Sequence, residues 1–198
     1  MTIDTSTIFG STDLVLELSR AAIDRAWSIS QSNSTNHWQN YLNRLTVAAF
    51  LPWLQAEEDS TAWVNEQVQA GRWDLVNGTA IAMQGAKLVL IPSEVIDTEE
   101  LRVPQEWIDL PGWVADYYLA VQINIDESYV RIWGYTTHQN LKQGSFNRGD
   151  CTYSLTNEEL ISDLNALWVA RKLCPDEVTR DIYSVSDKQN ANIRVEEN

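Results

Sequence analysis

His138 and Cys151 are the two residues of this chain whose types could make a nucleophile and its base. A thiolate gains that role when an imidazole within hydrogen-bond reach takes its proton, which requires the stretch between them to fold back. The ordinary fates are plainer: cysteine is among the most buried residue types, and a histidine at a strand end more often caps it. Asp116 with Glu106 or Asp109 could form an acid/base pair, but acidic residues abound and no spacing singles these out, so solvated charge is the simpler reading. Arg131, between Tyr129 and Trp133, could clamp a carboxylate or stack on a ring. Structural cation–aromatic packing is its alternative.

Other chemistry lacks an entry point. There is no phosphate-binding Gly-x-x-x-x-Gly-Lys-Ser/Thr, no Gly-x-Gly-x-x-Gly, no Gly-x-Ser-x-Gly elbow and no His-Glu-x-x-His. With His37 and His138 the sole histidines, a multi-histidine metal site is excluded. No cofactor is expected and no catalytic residue is assigned.

The elements that would position these side chains are clearest from Trp113 to His138. Folding this segment about Asp126-Glu127 places Ile123 opposite Val130 and Val121 opposite Ile132, an aliphatic face suited to a core. The other face pairs Asn124 with Tyr129, Gln122 with Arg131, Ala120 with Trp133 and Tyr118 with Tyr135. That stripe can meet another packed layer or a partner. Tyr118, Tyr129, Arg131, Trp133, Tyr135 and His138 are accordingly the candidate partner-binding residues.

Upstream, Val15, Leu18, Ala22, Ile23, Ala26 and Trp27 recur at helical spacing, predicting a helix over 13–30. A second helix starts near Ser34 or Asn36, buries Trp38, Tyr41, Leu42, Leu45 and Ala49, and kinks or stops at Pro52. A short helix over 61–70 follows, turning inward Trp63, Val64 and Val68 and ending at Gly71. The period then changes to two: 73–76, 79–83 and 87–91 read as strands, with turns at Asn77-Gly78 and Gln84-Gly85. A proline-containing connection includes a short strand at Leu101-Arg-Val; the hairpin is followed by a polar loop over 140–149 and a strand near 152–154. Thr156 and Glu159 form a capping box with Leu155 and Leu160 as its staple, predicting a helix with Leu160, Ile161, Leu164, Leu167 and Trp168 buried and a stop before Pro175. The plan is α+β: N-terminal helices, a central antiparallel β meander forming a sheet or partial barrel, and a C-terminal capped helix. Residues 1–178 are expected to form one domain and 179–198 a flexible tail.

The 198 residues are 44% hydrophobic, enough for a sizeable core, and of the nine tryptophans about three in four are expected inside it. The net charge of −14 repels nucleic acid and anionic membrane surfaces; it suits a basic protein partner, or simply keeps the chain in solution. Cys151 and Cys174 belong to no Cys-x-x-Cys element, no basic leader precedes an apolar run, and no stretch of ~18 apolar residues occurs. A cytoplasmic location is expected. Oligomeric state is left open.

Pro111-Gly-Trp-Val-Ala-Asp-Tyr-Tyr-Leu-Ala-Val-Gln, Arg131-Ile-Trp-Gly-Tyr-Thr-Thr-His and Leu164-Asn-Ala-Leu-Trp-Val-Ala-Arg-Lys-Leu-Cys-Pro together resemble an uncharacterised domain family typical of cyanobacteria. Leu75-Val-Asn-Gly-Thr-Ala-Ile and Leu88-Val-Leu-Ile-Pro-Ser-Glu look like its earlier blocks, so the likeness covers residues 10–178. It is a domain of unknown function and lends no catalytic residue. Its members' genes often lie near those for sigma factors and CHAT-type proteases, and the resemblance therefore implies a regulatory role, as a sigma-factor antagonist or a protease-controlled adaptor. Three functions follow as expectations: a regulatory protein-binding module, an enzyme with a cleft between helices and sheet, or a structural homo-oligomer subunit.

Overall fold

The computed structural model describes residues 14–31, 36–57, 68–69, 76–83, 86–94, 100–164 and 167. The first element among the described residues is β1 (Leu14–Glu17), so 14–17 are a strand and not the start of a helix. Leu14 and Leu16 turn toward the core while Val15 and Glu17 turn out, an alternation the helical reading absorbed because Val15 and Leu18 are also three apart. Ser19 then caps α1 (Arg20–Ser30), its hydroxyl accepting the Ala22 N–H at 3.2 Å. Ile23, Ala26 and Ser30 are its buried face.

Helix α2 (His37–Glu57) runs through Pro52 without stopping there. Pro52 is exposed, so the bond its ring removes lies on the solvent side, while Phe50 and Leu54 on either side are fully buried and hold the helix down. Of the expected helix over 61–70, Val68–Gln69 instead form β2, paired antiparallel with Ile81 and Ala80; the remainder, including Trp63 and Val64, lies outside the described residues.

The strands β3 (Thr79–Met83), β4 (Ala86–Ser93), β6 (Tyr117–Asn124) and β7 (Tyr129–Thr137) complete a sheet ordered β1-β7-β6-β4-β3-β2. This sheet is mixed rather than an antiparallel meander, because β4 and β6 pair in parallel from Leu88↔Tyr117 to Ser93↔Gln122. The proline-containing connection makes the crossover: it is long enough to carry β5 (Glu100–Pro104) and the short α3 (Gln105–Asp109) over one face. A second sheet, β5-β9-β8, is built from β5, β8 (Ser145–Asn147) and β9 (Thr152–Thr156).

The expected polar loop over 140–149 is thus helical over 140–143 and strand over 145–147. Thr137 caps α4 (His138–Gln143) through the Asn140 N–H, Leu141 is fully buried beneath it, and β8 follows. The capping box at Thr156 and Glu159 is present, but it closes a three-residue 3-10 turn, Asn157–Glu159, and Leu160 is already extended. Among the described residues β1 pairs with β7 no further than Leu14 opposite Ile132, and farther along that edge Ile161 exchanges two 2.9 Å backbone bonds with Tyr135. That bridge, absent from any periodicity, displaces the predicted helix start. Leu164 and Leu167 are buried as expected; Trp168, Cys174 and the tail lie outside the described residues.

The larger sheet is consequently packed on both faces. Leu45, Phe50 and Leu54 of α2 meet Ile81, Leu88, Leu90, Leu119 and Ile132 on one side. On the other, Ala80, Val89, Tyr118 and Ala120 meet Leu101, Val103, Trp107, Leu141 and Leu155. Tryptophan is less buried than expected: among the described residues Trp107 is inside, Trp53, Trp113 and Trp133 are half-buried, and Trp27 and Trp38 are 40% and 37% exposed.

Candidate functional site

The β6–β7 hairpin follows the predicted register from Asn124↔Tyr129 through Val121↔Ile132, then slips. Beyond Val121, Ala120 faces Gly134 rather than Trp133, and Tyr118 faces Thr136 rather than Tyr135. Trp133 is the extra residue of a β-bulge. Alternation cannot announce such an insertion, because each half of the strand remains correctly patterned on its own.

The bulge sorts the candidate residues. Tyr135 is carried to the helix side, 2% exposed opposite Leu119, and burial with Tyr117 nearby raises its pKa above the ordinary 10.0. Tyr118 is wholly buried under the second sheet, donating its hydroxyl to Trp107 O at 2.8 Å and accepting the Ala115 N–H at 3.1 Å. Neither is available to a partner. Tyr129, Arg131 and Trp133 remain half-exposed on the outward face, with the Arg131 guanidinium carbon 3.8 Å from the Trp133 ring centre. This stack sets a guanidinium over a flat aromatic ring at a half-exposed surface, a combination of residue types common at protein interfaces. The Trp133 indole nitrogen itself is buried and has no acceptor among the described residues.

His138 begins α4, its N–H donating to Asp116 O, with Nδ1 3.5 Å from the Tyr118 hydroxyl. Burial chiefly, and Lys142 next, lower its pKa below the ordinary 6.5, while Asp109 and Asp116 pull the other way. Cys151 is exposed, holds a left-handed φ of 54°, and its thiol meets Arg148 O rather than the imidazole. The two residues are therefore not a nucleophile and its base.

Two of the three candidate carboxylates are occupied as well. Asp116 accepts the Lys87 backbone N–H at 2.6 Å; Asp109 accepts from Gln105 and pairs with Lys142, and the Gln105 bond above all holds its pKa down. Glu106 is exposed in the first turn of α3. Two features escaped the sequence reading. Buried Lys87 donates through Nζ to the carbonyls of Gly112 and Trp113, at 3.0 and 3.3 Å, pinning the turn that leads into β6. The second is β1 itself, whose outward Val15 and Glu17 lie beside Arg131 and Tyr129 and extend the half-exposed patch to the edge of the sheet. The period of two in Leu14-Val-Leu-Glu was the available signal.

Among the described residues no group of three or more His, Cys, Asp or Glu could hold a metal ion, and no helix is long and apolar enough to cross a membrane. No curated protein and no solved structure matches the chain. A family model described as a protein of unknown function (DUF1822) matches residues 16–197.

Proposed function

We propose, from the premise that the chain belongs to the DUF1822 family of proteins of unknown function, that it is a regulatory protein-binding module. The observation that carries this reading is the half-exposed Arg131–Trp133 stack at the margin of the second layer, with Tyr129 beside it. Arginine and aromatic residues are the types that dominate binding energy at protein interfaces. A net charge of −14 supports a basic partner, drawn in by long-range attraction that salt weakens. A cytoplasmic setting extends the proposal on the strength of the sequence, with its two cysteines and no long apolar run, and a link to sigma-factor or protease regulation extends it on the strength of the resemblance alone.

The enzyme reading needs a cleft between helices and sheet. Leu45, Phe50 and Leu54 fill that interface with apolar side chains at 0% exposure, so no observation favours it. Pull-down with the immobilised full chain, compared with Trp133→Ala, Arg131→Ala and the distant Trp38→Ala, tests the proposal. Partners should be lost with the first two variants, kept with the third, and recovered less as salt rises. An identical set of captured proteins for all four chains would overturn it.

A further inference from the structure

Strand β1 is one edge of the larger sheet. Its ladder with β7 continues into a bond from Leu18 N to Ser128 O, which fixes the alternation of an antiparallel pair: Leu14, Leu16 and Leu18 direct their backbone groups toward β7. The N–H and C=O of Val15 and Glu17 consequently point away from the sheet. Among the described residues nothing takes them up. Leu14-Val-Leu-Glu is short and carries the one charge of Glu17, but it has no lysine, proline or bulge to guard the edge.

Side chains along this edge are equally specific. Val15 is 40% exposed and stands beside Arg131; Glu17 is exposed and stands beside Tyr129. Leu14 and Leu16 point to the opposite face, half-buried against the helix-side core. A strand laid along β1 would meet a carboxylate at one position, an exposed valine two residues on, and an apolar rim on the other face.

We infer that β1 is a docking edge that takes up an extended, basic segment of a partner protein as an added strand. This rests on the protein-binding reading and names its site and the class of partner. Backbone bonds to Val15 and Glu17 supply the attachment, and alternating side chains supply the selection. The residue opposite Glu17 is lysine or arginine, while the residues opposite Val15 and Leu16 are apolar. A second copy of this chain is the wrong occupant on charge: it would bring together two bodies of −14 each and place both Glu17 side chains in the joint.

The test uses the full-length chain and a random library of extended peptides of about eight residues, selected at low salt and counter-selected against Val15→Pro. Proline removes one outward N–H and leaves the β1–β7 ladder bonds intact, so it is the minimal lesion at an edge. Selected peptides should carry a lysine or arginine, for the position opposite Glu17, followed by two consecutive apolar residues, for the positions opposite Leu16 and Val15. They should bind Val15→Pro and Glu17→Lys about tenfold more weakly, the loss expected for one charge-assisted or backbone bond. If Val15→Pro melts early, N-methylation of alternate peptide bonds in the selected sequences gives the same readout on the unaltered protein. No enrichment, enrichment of acidic peptides, or binding indifferent to both lesions would overturn the inference. So would a dimer in sedimentation that Val15→Pro dissolves, since the occupant would then be a second copy. Partners that depend on Trp133 but not on Val15 would leave the protein-binding proposal standing and remove this one.

Discussion

At the scale of single residues, two positions report on how tightly the hairpin is enclosed. Gly134 sits where the Ile161 backbone crosses β7; a Cβ there would lie 2.8 Å from Ile161 O and 3.1 Å from the Leu160 Cβ. Backbone cannot yield as a flexible side chain can, so Gly134→Ala should cost about 1–3 kcal/mol, read as a lower denaturation midpoint at unchanged m-value. His138 reports on pH. Burial favours its neutral form in the folded chain and places its pKa below that of the unfolded chain, so the unfolded chain binds more protons as the pH drops. The stability this provides is complete above the unfolded value and is lost as pH falls through the folded one. Asp109, Asp116, Lys142 and the Tyr118 hydroxyl face the ring and set the size of the effect. Urea midpoints at about pH 7.5 and about pH 5.5 should differ more for the native chain than for His138→Asn, which keeps a polar group but does not titrate. Equal differences would show that His138 is not the group that responds.

At the scale of elements, the sequence was legible wherever one periodicity ran unbroken to a turn. Thr79–Met83 stands where predicted, and the hairpin register held from Asn124 to Val121. It failed where structure depends on a remote backbone. Strand β1 exists because the edge of β7 accepts it, β2 because β3 does, and the 3-10 turn ends at Leu160 because Tyr135 captures Ile161. The site inherited the same limit: one inserted residue at Trp133 separated Tyr118 and Tyr135, which alternation had put on a common stripe. Ser19 was equally unread as a cap, since a helix beginning at Asp13 leaves it internal. Ser19→Ala should cost about 1 kcal/mol, and Ser19→Asp should not, in paired thermal melts.

At the scale of the whole molecule, the buried side chains Leu164 and Leu167 both precede Val178, while the family match continues to residue 197. Truncation at Val178 should leave the melting temperature within about 4 °C of the full chain, the shift that roughly 1 kcal/mol produces at this size. A larger fall would make the last residues part of the folded unit. The parallel pairing of β4 with β6 sets the order in which that unit comes together. The paired strands β3 and β4, and likewise β6 and β7, are only a few residues apart along the chain, whereas the seam between the two pairs joins residues separated by the whole crossover. Loop-closure entropy must be met before such a seam returns any binding free energy. The topology predicts a late zippering of two early hairpins, with the inner edges of β4 and β6 open to any strand that reaches them first; pulsed hydrogen exchange during refolding should show the β3–β4 and β6–β7 amides protected before those of the β4–β6 seam.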